Sequence, residues 1–258
     1  MSTPRIYLPH PVETGSVVPA TAQQVGYLRN VLRMRAGDPL LVFNGTAWEY
    51  DAVFGKTAGG LVLEIRGKHP VPADAIEITL CQAIPKAEKM EAVIRHATEL
   101  GAGRIVPFFA KRSVPRWQPE KSPQKQERWQ KIAVESSRQC GRTDVPEIGE
   151  IISFTRMLRL ARPEGLNLIC WEEESARGIR EVLQDPQYGE VREFVVVIGP
   201  EGGFDGDEIA QARPAGFRSV SLGRRVLRVD TAAAAVLSLL QYEKGAFGRA
   251  AKGDRHGG

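Results

Sequence analysis

The chain has 258 residues, 42% of them hydrophobic, with a formal net charge of +4. That length suits one large or two modest domains and lets roughly three quarters of the extended surface be buried, so no disulfide or metal staple is needed. No apolar run approaches the roughly 20 residues that a bilayer demands, and the opening MSTPRIYLPHPV has no apolar signal-peptide core, so a cytoplasmic protein is expected.

The first seventy residues predict short strands around one helix. RIYL reads as a strand, and TAQQVGYLRNVLRM places Val25, Leu28, Val31 and Leu32 on one helical face. PLLVFNG, AWEYDAVF and LVLEIRG then alternate or run apolar as strands do, with Asn44-Gly45 as a hairpin signal between the first two. A small β-barrel with a helix is expected, followed by a linker over Lys68 to Ala75, where Pro70 and Pro72 stand.

Beyond the linker, strand and helix alternate. IEITLCQA predicts a strand, KAEKMEAVIRHATELG a helix ending at Gly101, RIVPFF a strand and KQERWQKIAVESSRQCG a helix ending at Gly141. LNLICWEE, a helix from about Gly178 to Leu183, EFVVVIG, DEIAQAR, FRSVSLG and DTAAAAVLSLLQYEKG continue the pattern. Such alternation implies a parallel sheet covered on both faces. The Gly-rich end GRAAKGDRHGG has no apolar face and is expected to be disordered.

Cys81, Cys140 and Cys170 are too widely spaced for a zinc knuckle and odd in number, which reads as three reduced thiols. His10, His69, His96 and His256 show no paired spacing, so no metal is expected. Between Lys111 and Arg142 nine Lys or Arg face three Glu, with Trp117 and Trp129 interleaved. That mixture can neutralise phosphates and stack on bases, and it equally describes a solvated helix face behind a loop.

In open α/β sheets, ligands bind outside the carboxyl ends of the strands. Three predicted loops fall there: Trp171-Glu172-Glu173, Gly199 to Gly203, and Leu222-Gly223-Arg224. GPEGG is not a Walker A, because no GK[ST] follows, and its spacing fails the GxGxxG fingerprint. Its glycines allow the backbone to approach a ligand closely, or simply form a tight turn into a helix whose amino terminus Asp205 or Asp207 supports. Arg224, Arg225 and Arg228 lead into an Ala-rich helix for which Asp230 or Thr231 is the predicted N-cap. Cations gathered where the helix dipole disfavours them point to a bound anion, such as RNA phosphate.

IGPEGGF, followed about twenty residues later by LGRRVLRVDTAAAAVLSLLQ, with QAIPKAEKMEAVIRHATELG and RWQKIAVESSRQCGR upstream, resembles the RsmE family of 16S ribosomal RNA uridine-N3 methyltransferases. The resemblance runs from RIYL to LLQYEKG. It implies an α/β fold with a SPOUT-type parallel sheet and a carboxyl-terminal trefoil knot over residues 73–248, preceded by a PUA-like RNA-binding β-barrel over 1–72 and followed by a disordered tail, 249–258. Knots are nearly absent from proteins, and this one rests on the resemblance alone. The same resemblance implies S-adenosyl-L-methionine as cofactor, 16S rRNA in the small ribosomal subunit as partner, and a homodimer through the knot helices. The target would be a uridine near the 3′ end of that RNA, position 1498 in its standard numbering.

Carried over by resemblance, Ile198, Gly199, Pro200, Glu201, Gly202 and Gly203 match the family's first cofactor loop, Leu222 and Gly223 the second, and Val226, Leu227 and Arg228 the third. Trp171, Glu172 and Thr231 are added to that pocket. Expected RNA contacts are Arg5, Arg29, Arg33, Lys86, Lys111, Arg112, Arg138, Arg142, Arg224 and Arg225, with Gln139, Cys140 and Gly141 as active-site support. Arg228 is expected to stabilise charge on the uracil and Asp230 to orient it or accept the N3 proton. Asp230 stands where the family commonly has Glu, Arg224 where Pro is frequent, and Ser137-Arg138 in place of a more usual acidic neighbour before Gln139. Cys140 reads as structural or pocket-lining and not as a covalent nucleophile, because attack from N3 needs no covalent activation of a ring carbon. The alternatives are a SPOUT methyltransferase for another RNA, such as a tRNA, or a noncatalytic ribosome-assembly factor.

Overall fold

Alternation of apolar and polar side chains builds the amino-terminal sheet. The computed structural model describes residues 3–86, 89–114, 122–245 and 247, so Trp117 and the predicted tail lie outside the described residues. Elements in chain order are β1 (Arg5–Tyr7), β2 (Val17–Pro19), α1 (Ala22–Gly26), β3 (Pro39–Phe43), β4 (Trp48–Thr57), β5 (Gly60–Ile65) and β6 (His69–Pro70). The strands pair in the order β1-β3-β4-β5-β2, antiparallel except for β1 with β3, and β6 adds to β4. Tyr50, Ala52 and Phe54 alternate inward along β4 onto Leu28, Leu40, Val42 and Leu63. The prolines of the predicted linker thus include one in an edge strand, which needs no ladder hydrogen from Pro70.

Two local expectations give way here. Thr21 caps α1 in a reciprocal box with Gln24, but the helix continues as a wider turn, Tyr27–Val31, whose Leu32 N–H reaches the Tyr27 carbonyl five residues back. The change of period turns Val31 out of the predicted face, 66% exposed, while Leu28 is fully buried. Asn44-Gly45 does not form a two-residue hairpin either: only Gly45 has a positive φ, pairing begins at Phe43 with Glu49, and the Gly45 N–H donates to the Thr143 carbonyl.

The chain continues through β7 (Glu77–Ala83), α2 (Lys89–Glu99), β8 (Arg104–Phe109), α3 (Ser122–Cys140), β9 (Glu147–Ile148), β10 (Ile152–Ser153), α4 (Phe154–Leu158), β11 (Leu166–Cys170), α5 (Ile179–Leu183), β12 (Glu193–Ile198), α6 (Gly206–Ala212), β13 (Arg218–Val220) and α7 (Val229–Glu243), whose strands form a second sheet. All strands are parallel, in the order β10-β8-β7-β12-β11-β13, with β9 on β8. Interior strands are mostly apolar, as burial on both faces requires, although Thr79, Gln82 and Asn167 are buried within them; the last five residues of β12 are all buried and apolar.

Compactness divides the chain into Met1–Ala73 with Ala133–Val145, and Asp74–Ile132 with Pro146–Gly258. The linker prolines mark the first boundary. Nothing in composition marks the second, because the end of α3 and the loop after it join the amino-terminal unit by contact alone. Among the described residues no helix is long and apolar enough to cross a membrane, and no His, Cys, Asp and Glu cluster could hold a metal ion.

Candidate active site

The ends of three strands are level. Cys170 of β11 lies opposite both Ile198 of β12 and Val220 of β13, so the loops that follow leave from one edge of the sheet. They wall a cavity of about 290 Å³. Of the residues expected to bind a cofactor, Trp171, Ile198, Gly199, Pro200, Glu201, Gly203, Leu222, Gly223, Val226, Leu227 and Arg228 line it, together with Glu172, Arg224 and Arg225. Gly202 and Thr231 do not. Lys89, Cys170, Ser221, Val229 and Ala232 line it as well, and sequence reasoning missed all five.

Each glycine of the first loop sits where another part of the protein comes close. Gly203 has φ +67°, and a Cβ there would collide with the Glu172 carboxylate. A Cβ on Gly199 would stand 3.1 Å from the Phe204 ring, and one on Gly202 3.2 Å from the Arg112 Cβ. Gly202 therefore faces away from the cavity, onto Arg112, whose Nη1 donates to its carbonyl at 3.1 Å. Asp205 caps α6 in a box with Glu208, which also accepts from the Lys111 N–H at 2.9 Å.

Charge is distributed unevenly around the cavity. Glu201 accepts from the Lys86 N–H and from Lys89 Nζ at 2.8 Å. Burial pushes its carboxyl up, but the Lys89 ammonium and the backbone N–H groups outweigh this and hold it below the usual glutamate range. Glu172 lines the same cavity and has no hydrogen-bond or ion-pair partner among the described residues. Nor have the side chains of Arg224, Arg225 and Arg228, all exposed on the loop before α7. Trp171 Nε1 is buried with no acceptor among the described residues, while burial alone pushes the Cys170 thiol up to about 12.

The helix after this loop starts earlier than predicted. Arg228 occupies the N-cap position and α7 begins at Val229, so Asp230 lies in the first turn instead of capping it. Its carboxylate suits the positive end of the helix dipole there, and it does not line the cavity.

Several expected RNA contacts are engaged elsewhere. Arg5 donates twice to Glu49 and once to the Ser137 carbonyl, and lies over the Phe43 ring. Arg138 holds Glu135 and Tyr27, and Arg142 holds Asp144. Lys111 pairs with Asp205 and Asp207, and those two carboxylates raise its pKa. Arg112 clamps Gly202 and Asp205. Trp129, read as a possible stacking residue, is 6% exposed and belongs to the core. Arg29, Arg33 and Lys86 are exposed, without side-chain partners among the described residues. Gln139, Cys140 and Gly141 do not line the cavity.

Comparison with known proteins places this geometry in a family. Residues 72–241 match the RNA methyltransferase domain family. Ribosomal RNA small subunit methyltransferase E of Synechocystis is 32% identical over 227 residues, 86% of this chain and 72% of that protein. Among solved structures, a Legionella pneumophila methyltransferase with its bound cofactor SAM is 33% identical, with a TM-score of 0.85 over 95% of this chain and 99% of that one. Ribosomal RNA small subunit methyltransferase E of Neisseria gonorrhoeae, bound to S-adenosyl methionine, is 29% identical, with a TM-score of 0.85 over 95% and 100%. With two thirds of its length in the RNA methyltransferase domain and a relative of that identity, the chain belongs to the ribosomal RNA small subunit methyltransferase E family.

Proposed function

We propose that this protein uses S-adenosylmethionine to methylate N3 of one uridine near the 3′ end of 16S rRNA, acting in the cytoplasm on the small ribosomal subunit as a homodimer joined through α7. The observation that carries the reading is the cavity at the level ends of β11, β12 and β13, with bare backbone on one wall and three unpaired arginines on the other. Its residues fit the cofactor: Trp171 Nε1 is a buried donor in need of an acceptor, Gly199 and Gly203 line the cavity with no side chain in the way, and the volume of about 290 Å³ suits a molecule of that size. Ile198, Gly199, Pro200, Gly203, Leu222, Gly223, Val226 and Leu227 would hold it. When bound, it supplies an electrophilic methyl on a sulfonium. A trefoil knot through these loops and a PUA-like role for the amino-terminal sheet belong to the same reading.

This chain's residues prepare the base. Uridine N3 carries a weakly acidic proton, and its lone pair is free only once that proton has gone. The Arg228 guanidinium stabilises the negative charge that then spreads onto the uracil oxygens. Asp230 lies outside the cavity wall, so the proton passes to Glu172, whose carboxylate lines the cavity without a partner among the described residues. Arg224 and Arg225 hold flanking phosphates. Alignment of the reacting atoms supplies most of the rate, about 7 to 11 kcal/mol when geometry is good.

The test is transfer of labelled methyl from S-adenosylmethionine to small subunits lacking N3-methyluridine, with the modified base located by nuclease digestion and mass spectrometry. Label at N3 of one uridine near the 16S 3′ end is expected. No label on these subunits despite tight cofactor binding, with label on tRNA, would replace the substrate and keep the chemistry.

A further inference from the structure

The outer edge of β13 carries a second concavity, of about 480 Å³, separate in its lining residues from the cofactor cavity. Arg177, Arg213 and Arg218 surround it, with Glu174 and Phe217. Three guanidinium groups there meet one carboxylate, and that carboxylate is committed inward. Glu174 accepts from the Ser219 hydroxyl and from the Ala176 N–H at 2.9 Å, with Arg213 at 3.9 Å. The Arg218 guanidinium carbon stands over the Tyr188 ring, 5.1 Å from its centre, a cation–π contact that helps to hold the side chain in place. The Arg177 guanidinium has no hydrogen bond or ion pair among the described residues, although its charge helps to lower the Glu174 pKa. Asp185 feels the Arg218 charge but is itself held by Gln187.

All three cations are arginines, whose planar fork matches phosphate oxygens in pairs and sheds water more readily than an ammonium. Their position relative to the cofactor cavity is fixed by backbone. The Ser221 N–H donates to the Arg177 carbonyl at 2.9 Å, and Ser221 lines that cavity. Arg218 starts the strand that ends at Val220, so three residues, about 10 Å, separate it from the cavity wall. That is about three nucleotides of rise along one strand of a duplex. We propose that Arg177, Arg213 and Arg218 form a second phosphate site that grips the RNA backbone about three nucleotides from the target base. The inference rests on the proposed RNA methylation and adds to it a part of the footprint.

The test is the salt dependence of binding to unmodified small subunits by Arg177→Gln/Arg218→Gln, beside Arg95→Gln/Arg159→Gln, which removes the same charge from exposed positions outside both cavities. Arg213 is left in place to keep its contact with Glu174. Loss of two phosphate contacts should flatten the slope of log K against log salt by about 1.5 to 2. KM for the subunit should rise, with kcat at saturation and cofactor affinity unchanged, and the control variant should follow the wild type. A slope equal to wild type, or an equal change in the control, overturns the second site. If the wild type binds subunits but transfers no methyl to any RNA, the methylation reading fails while the slopes still decide whether these arginines hold phosphate.

Discussion

The loop 199–205 and the loop 222–228 wall one cavity, yet almost every group of the first is tied down and almost none of the second. In the first, Arg112 holds the Gly202 carbonyl, Lys89 and the Lys86 N–H hold Glu201, and Asp205 and Glu208 close the start of α6. In the second, Ser221 and Gly223 form one small turn, after which Val226 is 85% exposed and three arginines stand unpaired among the described residues. A loop fixed before its ligand arrives loses little entropy on binding, whereas a loop of unpaired cations gains its partners from the ligand. The first is built to receive a small molecule and the second a polyanion.

Breaking the fixed loop should have the largest effect. Gly203→Ala puts a methyl into the Glu172 carboxylate at a φ of +67°, a backbone cost of about 1 to 2 kcal/mol before the collision is counted. Calorimetry should show cofactor affinity lowered by more than about tenfold, with the melting temperature reduced. Wild-type affinity would mean that the loop is less fixed than its contacts imply.

In the open loop, Arg228→Ala should cut single-turnover methyl transfer by about 10² to 10³, the usual loss when a donor to developing charge is removed, with cofactor affinity nearly unchanged. Equal losses in both would move Arg228 from the uracil to the cofactor. Glu172→Gln comes next. Turnover should fall by about 10², and the rate should be partly recovered at high pH, where the base loses its N3 proton without help. A rate that falls equally at every pH would leave Glu172 as support for the Gly203 turn.

The smallest effect concerns the tie between Glu201 and Lys89. Because the folded carboxyl sits below its ordinary range, its contribution is present at neutral pH and lost as pH falls through the lowered value. Glu201→Gln should therefore lower stability by at most about 1 kcal/mol at pH 7 and by nothing in acid. Melting temperatures across that pH series check the sign, and a constant difference would show that the pair does not hold the loop.

Much was legible in the chain itself. Apolar runs such as EFVVVI and LNLIC announced buried parallel strands because both of their faces must be dry, and GPEGG, LGRR and WEE announced the cavity because strand ends in such sheets open onto loops. The wide turn at Tyr27, the segment 133–145 and the cavity residue Lys89 were not legible. Each depends on partners distant in sequence, as when Lys89 meets Glu201 across 112 positions.

What the sequence alone determined is which residue types were available: glycines where backbone must come close, arginines where an anion is held, and the order of strands and helices along the chain. Only the tertiary structure decided which of those arginines were still available for a ligand. Lys111, Arg112, Arg5 and Arg138 carry the same charge as Arg224, Arg225 and Arg228, but a carboxylate or carbonyl already stands beside each of the first four. Charge is a property of composition. Whether it is neutralised depends on which acceptors folding brings within about 4 Å, and no local pattern records that distance.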